Sequence, residues 1–197
     1  MPHESARGWH SRGYLPHFDG GEVAQTVMFR LAGSLPRALL DTWADELQWL
    51  PRLRADAELR QRIEEYLDRG IGEALLNAPA VAGMVEEALL YFDGERYRLH
   101  AWAIMPNHVH VLVMPLGESA LSAILHSWKS FTAKQANRIL GREGAFWSAD
   151  YFDRFVRDER HFAAALSYTE ENPVKARLCS RRQDWPFGSA RLRVVEP

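Results

Sequence analysis

His108-Val109-His110 places two imidazoles two residues apart. On an extended chain such residues face the same side, so the pair projects together, close enough to share one cation. Two imidazoles suit a divalent transition metal, and oxygen ligands with Mg2+ or Mn2+ would complete a phosphate-activating site. Val109, Val111 and Val113 fall on one face of this segment, and His108, His110, Leu112 and Met114 on the other. A His-x-His pair on a strand also occurs as ordinary structure, and spacing alone leaves both readings open. Further along, Tyr168 and Asn172 are four residues apart and share a helix face. A phenol beside a carboxamide would supply one nucleophile and one metal ligand from a single helix. The plainer reading is a boundary tyrosine followed by an Asn that ends the helix before Pro173. The chain holds six tyrosines, so composition does not choose among them.

The elements around these residues follow from patterning. Tyr97 to Met105 and His108 to Met114 alternate as strands, and Met105-Pro106-Asn107 makes the turn of a β-hairpin. Glu22 to Leu31 reads as an earlier strand. Pro36 opens a helical pattern through Leu39, Leu40, Trp43, Leu47 and Leu50. Residues 52–69 are charged and helix-favouring, and Pro79 starts a helix that runs to about Phe92. Ser119 to Leu140 is a long amphipathic helix, broken by Gly141 to Gly144. Arg154 to Arg157 reads as a short strand. Asp158 caps a last helix, which Pro173 is expected to end. The order predicts an α+β fold, a ferredoxin-like antiparallel sheet of the split βαβ kind with packed helices. The expected organisation is an arm at 1–21, a domain at 22–178 with a helical insertion at 52–92 between its first and second strands, and a tail at 179–197.

The 197 residues are 47% hydrophobic and 25% charged, as in a soluble globular chain. No apolar run approaches a membrane span, and no secretory signal is evident, which predicts a cytoplasmic protein. Cys179 is the only cysteine, which excludes an internal disulfide and a thiolate-rich metal site. Net charge is −2, but residues 1–127 carry 11 basic and 17 acidic side chains and residues 128–193 carry 13 and 8. A phosphate backbone would be held by the basic part.

Three stretches, Tyr97 to Met114, Phe146 to Val156 and Arg157 to Leu178, together resemble the REP-associated tyrosine transposases. These are relatives of insertion-sequence transposases that carry an HUH motif and one tyrosine and act on single-stranded DNA. The resemblance covers about residues 12–190, and the ordered pieces MPNHVH and Y-x-x-x-NPVKA carry it. It implies the HUH endonuclease fold, metal ligands at His108, His110 and Asn172, and a nucleophile at Tyr168. Arg12-Gly13-Tyr14-Leu15-Pro16 resembles the family's arm that reads bases beside a hairpin. Residues 52–92 are long for the family's simplest members, and a structural insert is the default reading there.

The activity so implied is metal-dependent cleavage and rejoining of single-stranded REP-like hairpin DNA through a 5′-phosphotyrosine, with Mg2+ or Mn2+ as cofactor. A monomer is favoured over a dimer. Arg12, Tyr14, Lys129, Lys134, Arg138, Arg154, Arg157, Lys175 and Arg177 are the candidate DNA contacts, and Trp102, Trp128, Trp147 and Phe152 the candidates for stacking bases. Neutral imidazoles are needed to bind metal, which predicts falling cleavage below about pH 6. The rivals are a DNA-binding regulator of hairpins without cleavage, a metal hydrolase using water, and a replication initiator or relaxase.

Overall fold

The computed structural model describes residues 8–11, 16–19 and 21–193, with side chains from residue 21 onward. Gly8–Ser11 (β1) and Pro16–Asp19 (β2) pair as an antiparallel hairpin within the arm. Arg12 and Tyr14 lie outside the described residues.

The central sheet holds Gln25–Leu31 (β3), Tyr97–Ile104 (β4), His108–Pro115 (β5) and Trp147–Phe155 (β6), in the order β4-β5-β3-β6. Every neighbouring pair is antiparallel, so this is the ferredoxin-like arrangement that the element order predicts. β3 and β5 are the inner strands, and both are buried along their length except at Thr26 and Met114, in keeping with their largely apolar sequences. The turn from β4 to β5 is closed by Met105 N–H donating to the His108 carbonyl (2.8 Å). The carbonyls of Asn107 and Pro106 then accept from Leu31 (2.9 Å) and Leu76 (3.1 Å), which fixes the start of β5.

The helices are Arg37–Leu47 (α1), Arg52–Asp68 (α2), Pro79–Leu90 (α3), Leu121–Leu140 (α4) and Glu159–Lys175 (α5). Alternation in the strands sorts them into two layers. Val109, Val111 and Val113 point into the main core, where α3 packs through Val81, Val85 and Leu89, and α4 through Ile124, Leu125 and Trp128. The opposite face carries Met28, Leu112 and both histidines. There α5 packs through Ala165, Phe162 and Leu166, and α2 through Ile63 and Leu67. Of the residues read as a helical insertion, 52–92, helix α3 is therefore part of the core layer, while α2 with α1 forms the added cover over the histidine face. Residues 185–193 run along the β4 edge: Phe187 accepts from Ile104 N–H (2.9 Å) and Ser189 Oγ from Trp102 N–H (3.0 Å).

Two boundaries differ from the sequence reading. The strand expected at Arg154 to Arg157 is the nine-residue β6, beginning at Trp147. β6 is an edge strand, so Asp150, Asp153 and Arg154 keep access to solvent, and their polarity hides the alternation. Helix α5 continues through Pro173 for two more residues. Proline lacks the N–H that would reach Thr169 O, and the Asn172 side chain substitutes: its Nδ2 donates to Tyr168 O (2.8 Å) and Thr169 O (3.4 Å). The helix ends one turn later, with Arg177 in the left-handed region (φ 58°) and Leu178 N–H on the Pro173 carbonyl (2.8 Å). Among the described residues no helix is long and apolar enough to cross a membrane.

Candidate active site

β5 sets His108 and His110 on one face, and burial is complete or nearly so for both. Their Nε2 atoms stand 2.9 Å apart. Two nitrogens that share a cation at about 2.1 Å stand roughly 3 Å apart when they are adjacent ligands, so the observed separation suits one shared ion. His108 Nδ1 donates to Asn107 Oδ1 (2.7 Å), and Asn107 Nδ2 donates in turn to Leu67 O (3.0 Å) at the end of α2. This contact fixes the tautomer that leaves a lone pair on His108 Nε2, as the hydrogen-bond acceptors behind metal-binding histidines do.

Burial makes charging these rings costly. It pushes His108 well below the ordinary imidazole range, with His110 adding to the effect. Burial, then Arg60 and Lys175, pushes His110 down to about 3. Both rings are thus neutral, the ligating form, far below the pH 6 expected from unperturbed imidazoles. Asp68 stands 3.9 Å from His108 Nε2, and its Oδ1 is buried without a hydrogen-bond partner. Burial and the nearby Glu64 raise its carboxyl to about 6. An unsatisfied oxygen beside two neutral imidazoles is an environment that fits a cation. Among the described residues no group of three or more His, Cys, Asp or Glu is placed to hold a metal ion. Asn172 is buried, and its amide nitrogen is occupied on its own helix, so the carboxamide oxygen is the end that would be offered to a cation.

Helix α5 brings Tyr168 to the same place. Its ring meets that of His110 edge-on, with centroids 6.0 Å apart. Lys175, about two turns on, lays its Nζ 3.7 Å from the centre of the Tyr168 ring. The phenol donates a hydrogen bond to Glu64 Oε2 of α2. Glu64 also accepts from Arg60 Nε (3.1 Å). Burial first, then the Glu64 charge and hydrogen bond, raise the Tyr168 phenol above its ordinary range. Arg60, Glu64, Asp68 and Asn107 were not picked out as functional from sequence. The available signal was the i, i+4, i+8 spacing of 60, 64 and 68, which puts all three on one helical stripe.

The basic candidates divide. Arg154 and Arg157 line a groove of about 750 Å3 that also contains Tyr168, and Lys175 stacks on that tyrosine. Lys129, Lys134 and Arg138 lie on α4, which packs on the opposite face of the sheet from the histidines. Lys129 donates to Ala149 O (2.8 Å), and burial lowers it to about 8. Arg177 follows the end of α5. Of the aromatic candidates, Trp102, Trp128 and Trp147 are core residues rather than stacking platforms. Their indole N–H groups donate to Glu86, Tyr97 and Thr132, which meets the requirement that a buried tryptophan find a partner. Phe152 alone lines the groove.

Residues 84–172 match the family model described as Transposase IS200 like. A Haemophilus influenzae protein named provisionally as a REP-associated tyrosine transposase is 27% identical over 99 residues, which are 45% of this chain and 56% of that one. The chain thus spans little more than half the length of this curated relative. A solved structure described as a REP-associated tyrosine transposase bound to a REP hairpin aligns with a TM-score of 0.61 at 17% identity, covering 95% of this chain and 89% of that one. At that identity the likeness is one of fold. The family match runs from α3 through the β4–β5 hairpin to Asn172, so it contains His108, His110, Tyr168 and Asn172. Through that segment the chain is similar to the IS200-like transposases, and a REP-associated tyrosine transposase is among the proteins it resembles.

Proposed function

We propose that this chain is a single-tyrosine strand transferase that cleaves and rejoins single-stranded DNA beside a hairpin. The observation that carries the reading is the meeting of Tyr168 with the paired histidines, brought from α5 and β5 to within 6.0 Å between ring centres. The Tyr168 oxygen bonds to the phosphorus of a phosphodiester, the bond to the 3′ oxygen breaks, and a 5′-phosphotyrosine and a 3′-hydroxyl result. Attack by another 3′-hydroxyl reverses the step, because the covalent link conserves the bond. A divalent cation, Mg2+ or Mn2+, held by His108, His110 and Asn172, would supply charge neutralisation at the phosphate. Glu64 is the acceptor in place for the phenol proton, and Lys175 offers positive charge beside the developing anion. The hairpin comes from the description of the solved relative and is a proposal for this chain. Because nucleophile and histidines meet within one chain, the proposed form is a monomer, acting in the cytoplasm.

One observation favours the alternative of a non-cleaving hairpin binder: burial and Glu64 together hold the phenol protonated. A denaturing gel separates the two readings. The protein is mixed with Mn2+ and a labelled hairpin oligonucleotide taken from the sequence beside its own coding region. The proposal expects a covalent adduct that disappears with EDTA, with Tyr168→Phe and with His108→Ala. A shift on a native gel with no adduct would support binding alone.

A further inference from the structure

The inserted helix α2 does more than cover the histidine face. A small hollow under Tyr168 is lined by Thr26, Met28, Arg60, Glu64, His110 and Phe152 among others. The groove of about 750 Å3 runs between α2 and β6. Arg60, Glu64, Phe152 and Tyr168 line both spaces, so the groove leads down to the nucleophile and Arg60 stands at the junction. Arg154 and Arg157 approach the same point from the end of β6. Arg60 and Arg157 both stand close enough to bear on the Arg154 guanidinium, which is lowered by burial and then by these two neighbours. His161, beside them, is lowered by burial and then by Arg154 and Arg157. Like charges gathered at the end of a groove are unfavourable in the free protein and are relieved by an anion.

We propose that Arg60 is a phosphate ligand of the strand, gripping with Arg154 the backbone at the point where the groove meets Tyr168. The proposal rests on the strand-transferase reading, and gives the insertion a role in holding substrate. In the free protein Arg60 is paired with Glu64, which holds the Tyr168 phenol. A phosphate entering the junction takes Arg60 from Glu64, which couples strand binding to the group that touches the nucleophile. Leu53, 82% exposed at the outer lip, and Phe152 in the wall provide apolar contacts for bases.

The test uses the full-length Tyr168→Phe protein, so that binding is read without cleavage. The probe is a fluorescein-labelled hairpin oligonucleotide with a single-stranded flank, titrated by anisotropy from low to moderate salt. Arg60→Gln is compared with Arg54→Gln, an exposed position on the same helix outside the groove. Arg60→Gln is expected to weaken binding several-fold and to reduce the slope of log affinity against log salt by about 0.7, the value for one lost phosphate contact on a single strand. Arg54→Gln should leave both unchanged. Equal behaviour of the two variants, with unchanged thermal unfolding, would overturn the assignment while leaving the function proposal standing. A lowered slope for Arg60→Gln, with no covalent adduct formed by the wild-type protein, would keep the phosphate contact and remove the cleavage. No binding of the probe by the Tyr168→Phe protein at any salt would overturn both.

Discussion

Acidifying the metal-free protein from about pH 8 to about pH 5 tests the histidine pair without any substrate. In the folded chain His110 is pushed down to about 3, whereas in the unfolded chain an imidazole titrates near 6.5. Between these values the unfolded state binds a proton that the folded state refuses, so stability falls as pH drops below about 6.5. At about pH 5 the difference is roughly 1.5 pH units below the unfolded value, or about 2 kcal/mol for His110. His108 acts in the same direction. Asp68 acts in the opposite one. Its carboxyl, raised to about 6, takes up a proton in the folded state first, which restores about 1 kcal/mol over the same interval. Urea unfolding in EDTA at several pH values would measure the sum, and His110→Gln isolates one ring while keeping a polar side chain. The variant should lose about 2 kcal/mol less than the wild type on acidification. Identical pH dependence in both proteins would refute the claim that this imidazole is buried neutral.

The same preparations carry further predictions. At neutral pH, Mn2+ at about 100 times its dissociation constant should stabilise the wild type by about 2.7 kcal/mol, read as a shift of the urea midpoint, and should leave His110→Gln unmoved. Asn107→Ala removes the acceptor for His108 Nδ1 and the donor to Leu67 O. Its cation affinity should fall about 10- to 100-fold, measured by metal titration. Glu86→Ala would strip partners from the Trp102 indole (2.8 Å) and from Arg191 (2.9 and 2.7 Å). Leaving a buried donor and a cation unpaired there should destabilise by about 3 kcal/mol. It should do so without changing cation affinity, since Glu86 lies in α3 on the other face of the sheet.

The sheet and its hairpin were legible because β5 alternates valine and histidine, β4 alternates around a clear turn, and β3 is an apolar run with β-branched and aromatic residues. β6 was not, because an edge strand tolerates Asp150, Asp153 and Arg154, and its aromatic-acidic run looks like a loop. The end of α5 was misplaced for a local reason: Asn172, the residue before the proline, repairs the helix with its own side chain. His108, His110, Tyr168 and Asn172 could be named from spacing and resemblance, since each rests on a short-range pattern. Arg60, Glu64 and Asp68 could not, because a charged stripe on a helix looks the same whether it faces water or an active site. Only the long-range packing of Ile63 and Leu67 on the sheet turns that stripe inward. The tryptophans illustrate the converse. Large aromatics suggest base stacking, but the core of α3 and α4 claims Trp102, Trp128 and Trp147 first.

The central claim is that Tyr168 itself forms the bond to DNA, and peptide mapping of the adduct tests it most directly. The wild-type protein would be reacted with Mn2+ and a hairpin oligonucleotide, digested with nuclease and trypsin, and analysed by mass spectrometry. Cleavage after Arg160 and Lys175 releases a peptide whose sole tyrosine is Tyr168. The account predicts a nucleotide mass on that peptide, dependent on the cation and absent from His108→Ala. A nucleotide on the peptide bearing Tyr151, or no modified tyrosine with hairpins that the protein demonstrably binds, would contradict it.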